Sequence, residues 1–259
     1  MSRQHLLLRE LGLAPRWRLR HGAAPEPVST PALAPVAANL VPAATSEPPV
    51  GATPVSVAEM EAVPTPAVIE PTTTALPDWA DLQRQVASCT ACGLCQTRTQ
   101  TVFGKGNPRA RLMLVGEAPG AEEDKLGLPF VGKAGQLLDN MLAAIGLGQD
   151  DVFIANVLKC RPPGNRNPAA DEIAACADYL RWQIAHVQPD VLVTLGRFAA
   201  HALLQSDAAI GVLRRETHQY QGIPLFVTFH PAYLLRSPGE KAKAWQDLLA
   251  IRRALANKA

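Results

Sequence analysis

Four of the five cysteines in this 259-residue chain are spaced to hold a metal centre. Cys89 and Cys92 form a C-x2-C pair, and Cys160 and Cys176 follow after a long gap as C-x15-C. A tight pair can grip one side of a metal while a distant pair closes the other. Four thiolates suit tetrahedral zinc and an iron–sulfur cluster alike. Between the pairs lies Gly116-Glu117-Ala118-Pro119-Gly120, whose glycines would let the backbone come close to a nucleotide phosphate or base. A second stretch, Gly127-x4-Gly132-Lys133, nearly spells a phosphate-binding P-loop. Ala134 stands there in place of the Mg²⁺-binding hydroxyl, and the charged segment GAEEDK precedes it instead of a strand, so an NTPase site is not expected.

The elements that must position these residues are legible as apolar runs. Segments 112–115, 152–157, 191–195 and 225–229 read as buried strands, and each is followed by a helix-period segment: 134–145, 169–185, 198–204 and 241–256. This alternation predicts an α/β three-layer sandwich, with a short parallel sheet of about four strands flanked by helices. Ligands bind beyond the carboxyl ends of such strands. Those ends carry Gly116 to Pro119, Asn156 and Cys160, Gly196, and His230-Pro231, so the polar and unusual residues converge on one rim.

Charge and composition divide the chain into three zones. Residues 1–20 carry five arginines against Glu10, a net +4; residues 21–77 carry five glutamates and no Lys or Arg, a net −5; the total is +2. Residues 1–21 form a basic head with Leu6, Leu7, Leu8, Leu11 and Leu13 on a short helical face, followed by Pro15 and Trp17. Residues 22–77 are rich in Pro, Ala, Thr and Val and cannot bury enough apolar surface to offset chain entropy, so they read as a disordered linker. Residues 78–259 are the folded domain. No apolar run approaches the roughly 18–20 residues needed to cross a membrane, and the head lacks the continuous apolar stretch of a secretory signal. Metal-binding thiols in a reduced, cytoplasmic compartment fit the cysteines better than disulfides.

The stretches CTACGLC (89–95), VFGKGNPRARLMLVGEAPGAEED (102–124), LPFVGKAGQLLDNML (128–142), NVLKCRPPGNRNP (156–168) and FHPAYLLRSP (229–238) together resemble the family 4, iron–sulfur uracil-DNA glycosylases, and span nearly all of residues 78–259. The resemblance implies a monofunctional enzyme. It would flip uracil out of DNA and hydrolyse the N-glycosidic bond, leaving an abasic site for base excision repair. It implies a [4Fe–4S] cluster on Cys89, Cys92, Cys160 and Cys176, with Cys95 a packed free thiol. Asn156 would read the base, Phe130 would stack on it, and His230 would support the leaving uracil anion. Gly116 and Ala118 would line the base site. Ala118 occupies the place of the water-activating Asp of better-known relatives, leaving Glu117 to position water or stabilise the sugar cation. Leu234 and Leu235 resemble the wedge that fills the hole left by the flipped base, although at least one of them is expected to pack underneath. Arg236, Lys159, Arg161 and Arg166 would meet DNA phosphates.

The head, RQHLLLRELGLAPRWRLRHG (3–22), is similar to the N-terminal peptide of the psi subunit of bacterial DNA polymerase III. That likeness implies docking on the clamp-loader complex. The whole is expected to be a monomer that works at the bacterial nucleoid on uracil-containing DNA. The alternative is a non-catalytic uracil- or DNA-binding adaptor tethered to the replication machinery.

Overall fold

The computed structural model describes residues 76–258; the expected head and nearly all of the expected linker lie outside them. The strands are β1 (Lys105–Gly106), β2 (Leu112–Gly116), β3 (Val152–Asn156), β4 (Val191–Leu195), β5 (His218–Tyr220) and β6 (Ile223–Thr228). Among the described residues the α-helices are α1 (Trp79–Ala87), α2 (Ala121–Leu126), α3 (Lys133–Ala144), α4 (Ala170–Val187), α5 (Arg197–Leu204), α6 (Ile210–Leu213), α7 (Pro231–Arg236) and α8 (Lys241–Ala256).

The six strands form one sheet in the order β1-β3-β2-β4-β6-β5. The four central strands are parallel to one another, as the apolar runs imply. The two edge strands pair antiparallel, β1 on β3 and β5 on β6. These edges carry no sequence signal because they are two and three residues long. Their shortness also leaves little unpaired backbone to recruit another chain.

Strands β2, β3 and β4 are buried at every residue, as central strands covered on both faces must be. Their side chains alternate between two cores. Leu112, Leu114, Ile154, Val193 and Leu195 pack with Leu138 and Leu142 of α3 and with Leu248 and Ile251 of α8. Met113, Val115, Phe153, Ala155 and Leu192 face the other way, onto Leu180 and Ile184 of α4 and Ala199 and Ala200 of α5. The three layers therefore follow from the period-2 split of the strands.

The chain leaves β2 towards β3, then returns across β2 to β4. The crevice at the β2/β4 switch is where an open α/β sheet offers its ligand site. Backbone pairing continues past the ends of β2 and β3: Val157 N–H donates to Gly116 O and Leu158 N–H to Glu117 O, both at 3.0 Å.

One buried polar network fixes the end of β6. Arg214 donates to both oxygens of Asp247, at 2.9 and 2.7 Å, and Thr228 Oγ1 donates to Asp247 at 2.6 Å. The Arg214 guanidinium also lies 4.4 Å from the Phe229 ring centroid. Burial pushes the Asp247 carboxyl up, and the bonds from Thr228 and Arg214 oppose that. Removing one member of a buried pair strands the other, at a cost of about 3–5 kcal/mol. In urea denaturation, Asp247→Ala should lose about that much stability, whereas R214M/D247L together should lose less. Equal losses would show that the pair is not the source.

Candidate active site

The carboxyl ends of β2, β3 and β6 open onto a pocket of about 400 Å³, lined by Glu117, Ala118, Phe130, Asn156, Arg166, His230, Tyr233 and Arg236 among others. Every residue expected to touch the base lines it except Gly116, which lies immediately beneath.

Asn156 ends β3 and is 2% exposed. Its Oδ1 is buried and has no hydrogen-bond partner. An unmet buried acceptor costs about 1–3 kcal/mol, so it marks a place where a ligand donor belongs. Gly116, paired with Asn156 across β2 and β3, makes the packing possible. A Cβ at Gly116 would land on Asn156 Oδ1 and lie 2.9 Å from the Phe130 ring.

Phe130 sits in the loop between α2 and α3 at φ 53, the left-handed region that a bulky residue rarely adopts. Three features hold it there. Lys105 Nζ donates to its carbonyl at 3.1 Å. Gly135 lets the first turn of α3 press against that carbonyl, where a Cβ would collide. Glu123 accepts from Val131 N–H at 3.0 Å and Gly132 N–H at 3.2 Å, and from Gly120 N–H at 3.1 Å, joining the loop after β2 to the Phe130 loop. The Phe130 ring both packs into one core and lines the pocket.

His230 precedes α7, with its ring stacked at 5.6 Å from Phe130. Its Nδ1 accepts from Ala232 N–H at 3.1 Å, so the proton of the neutral ring sits on Nε2. Burial pushes its pKa down to about 4, with Arg236 acting in the same direction and Glu123 against it. The imidazole is thus a neutral donor near pH 7. Burial raises the Glu117 carboxyl, and the positive charge of Arg197, at the start of α5, opposes that.

The four cysteines gather beside this pocket. Cys160 and Cys176 are buried with Leu94 and Leu158, and Cys92, Ala118 and Tyr179 pack against them. Ala118 therefore touches both the pocket and the cysteine centre. Burial pushes the Cys160 thiol up to about 11, an effect that Arg98 opposes and Cys176 and Cys92 reinforce. Burial raises the Cys176 thiol as well, an effect that Lys159 opposes and Cys92 and Cys89 reinforce. Arg98 donates to Cys160 Sγ at 3.1 Å and to Cys89 O at 2.7 Å, spanning the two halves of the set. Buried thiols that repel one another and face a guanidinium are a donor set suited to a cationic metal centre. Among the described residues no three His, Cys, Asp or Glu side chains form a ready shell around a single ion. Cys95 is half-buried in the turn next to Cys92.

One expectation is overturned. Lys159 cannot meet DNA phosphates: it is 1% exposed, and its Nζ is bonded to Asn156 O and Gln183 Oε1. Of the two leucines, at least one of which is expected to pack underneath, Leu234 is the one that does: it is 1% exposed within the core and makes no DNA contact, whereas Leu235 is 44% exposed. Arg161 lies at the surface, donating to Asn165 Oδ1 at 2.8 Å. Arg166 also reaches the surface but is held in a bidentate pair by Glu172, at 2.9 and 2.5 Å. Arg98, Glu123, Lys105 and Arg197 escape sequence reasoning. Arg98, Lys105 and Arg197 each act through a partner distant in the chain, and an isolated charge gives no sign of that; Glu123 has near partners and, accepting from Gly120 N–H three residues before it, makes the glutamate half of a capping box.

The uracil DNA glycosylase superfamily model matches residues 103–249. The chain is 43% identical over 179 residues to a type-4 uracil-DNA glycosylase of Archaeoglobus fulgidus, covering 66% of this chain and 90% of that one. It is 45% identical over 158 residues to a type-4 uracil-DNA glycosylase of Thermotoga maritima, covering 60% and 82%. A type-4 uracil-DNA glycosylase of Sulfurisphaera tokodaii is 43% identical over 180 residues, covering 66% and 82%. With a match over more than half its length and relatives covered over 82–90% of theirs, the chain belongs to the uracil DNA glycosylase superfamily, among its type-4 members.

Proposed function

We propose that the chain is a uracil-DNA glycosylase that releases uracil from DNA and leaves an abasic site. The unpaired Asn156 Oδ1, facing a pocket whose histidine is a neutral donor, is the observation that carries this reading. An Asn amide offers an acceptor for uracil N3–H and a donor for O4. Cytosine reverses both groups, which leaves a mismatch worth about 1–3 kcal/mol. A base reaches the pocket only after leaving the stack, at a cost of a few kcal/mol. Stacking on the Phe130 ring offsets that by about 1–3 kcal/mol.

In the reaction, the C1′–N1 bond breaks and its electron pair leaves with the base as uracilate. The deoxyribose becomes an oxocarbenium-like cation. His230 Nε2–H donates to O2 of the leaving anion, and a neutral donor held by its Nδ1 bond suffices for that. Water then adds at C1′, and the proton it gives up passes to the uracilate, so that neutral uracil and a C1′ hydroxyl are the products. Glu117, on the pocket wall, would orient that water and face the cation, since Ala118 beside it offers no polar group and the other lining carboxylate, Glu123, is engaged by backbone N–H groups. Leu235 is the wedge, and Arg236, Arg161 and Arg166 face the backbone phosphates.

Cys89, Cys92, Cys160 and Cys176 would hold a [4Fe–4S] cluster, which supplies coordination bonds tying the 89–98 segment to the 158–166 loop and α4. The basic head, on its expected linker, would dock on the clamp-loader complex. Its Leu/Trp and Arg content supports that role. Unchanged clamp-loader binding after deletion of residues 1–22 would exclude it.

The test is uracil release from an oligonucleotide by protein whose metal content has been measured, with about four iron and four sulfide per chain expected. Multiple-turnover release should fall about 10- to 100-fold in Asn156→Ala and about 100- to 1,000-fold in His230→Ala. Uracil-dependent binding without release by the loaded wild-type protein would favour an adaptor instead. Zinc in place of iron would refute the cluster assignment.

A further inference from the structure

Lys159 is the largest side chain among those with almost no exposed surface, and the excision chemistry makes no use of it. Its Nζ donates to Asn156 O at 2.7 Å and to Gln183 Oε1 at 2.6 Å. Gln183 is itself fully buried and passes the connection on, donating its amide to Phe103 O at 2.8 Å. The Lys159 carbonyl accepts from Val102 N–H at 2.7 Å. In sequence Lys159 is followed by Cys160, and Gln183 lies two helical turns beyond Cys176 on the same face of α4. A single ammonium therefore stands between the peptide of Asn156, the turn that carries Cys160, and the helix that carries Cys176.

A buried cation is costly unless it is hydrogen-bonded and its charge is balanced. Two neutral oxygens satisfy two of its three donors. Among the described residues no carboxylate pairs with it; burial pushes its pKa down to about 7, and the neighbouring Cys176 and Cys160 oppose that. Arg98 donates to Cys160 Sγ and so holds the same turn.

We propose that Lys159 is a positioning residue that couples the four-cysteine centre to Asn156. It bonds the Asn156 peptide to α4 and to the Cys160 turn, so that holding the two cysteines also holds the amide that meets the base. The proposal rests on the uracil-excision reading of the pocket, and it gives the cysteine centre a role in base recognition besides ordering the basic loop. It also explains why a lysine in a basic segment turns inward while Arg161 and Arg166 reach the surface.

The experiment compares the full-length, cluster-loaded wild-type protein with Lys159→Met and Gln183→Met, well below their melting temperatures. Lys159→Met removes the charge and both bonds at similar volume; Gln183→Met removes one bond and keeps the charge. Three quantities are read: kcat and KM for uracil excision, affinity for uracil-free DNA, and decay of the cluster's visible absorbance in air. In Lys159→Met, kcat should fall about 10- to 100-fold, as expected for losing hydrogen bonds to a charged group, with KM within about threefold. Uracil-free DNA binding should be unchanged and cluster decay several-fold faster. Gln183→Met should shift the same quantities in the same direction by less, and it carries the test if Lys159→Met does not fold. Wild-type kcat and cluster lifetime in both variants would overturn the coupling. So would a loss confined to uracil-free DNA binding, which would make Lys159 a phosphate contact. If the wild-type protein releases no uracil, the reading of the pocket fails instead, and cluster decay still decides whether Lys159 supports the cysteine centre.

Discussion

The active pocket depends on a close approach that leaves no room for a single methyl group. Gly116 and Asn156 are paired at the ends of adjacent parallel strands, and the Phe130 ring closes over them from the α2–α3 loop. A Cβ at Gly116 would meet both the Asn156 oxygen and the Phe130 ring. Much of the surrounding structure can be understood as holding these groups in place. Lys105, Glu123 and Gly135 keep Phe130 in an unfavourable backbone conformation. The Arg214–Asp247–Thr228 network fixes the end of β6, from which His230 emerges. The strained backbone of Phe130 and the unmet acceptor of Asn156 meet in one pocket, as expected of a functional site.

The second organising feature is electrostatic. Cys160 and Cys176 are buried and raised by that burial, with the Arg98 guanidinium bonded to Cys160 and the Lys159 side chain beside them. Ala118 and Lys159 make this centre adjoin the base pocket instead of lying in a separate part of the fold. The cysteines and the base pocket are thus two sides of one structure, with Asn156 on the seam.

The fold was largely legible in the sequence because the central strands are buried on both faces, so their apolar runs are unbroken, and helices of ordinary length follow each. The edge strands were not legible, since two or three residues carry no period. Asn156, Phe130 and His230 all line the pocket because they stand at strand ends or in a loop between elements that were recognised. The inward turn of Lys159, and which of Leu234 and Leu235 packs underneath, are not legible in the sequence for a common reason. Each belongs to a segment of one overall character, basic or wedge-like, within which one residue turns inward to satisfy the interior. Sequence shows the character of a segment but not which of its members points inward. Lys159 points in because Asn156 O and Gln183 Oε1 await a donor, and the latter lies 24 residues away.

The most direct test of the account is the uracil-excision rate of Gly116→Ala. The added methyl would displace only the side-chain ends of Asn156 and Phe130, so the sheet and the cysteine centre should survive, as visible absorbance and the urea midpoint would show. The account predicts a folded, cluster-loaded protein whose excision rate falls by about 100-fold or more, since misplacement of about 1 Å at a reacting site costs that much. A folded variant that excises uracil at close to the wild-type rate would contradict it, because the contact among Gly116, Asn156 and Phe130 could then not be what holds the base.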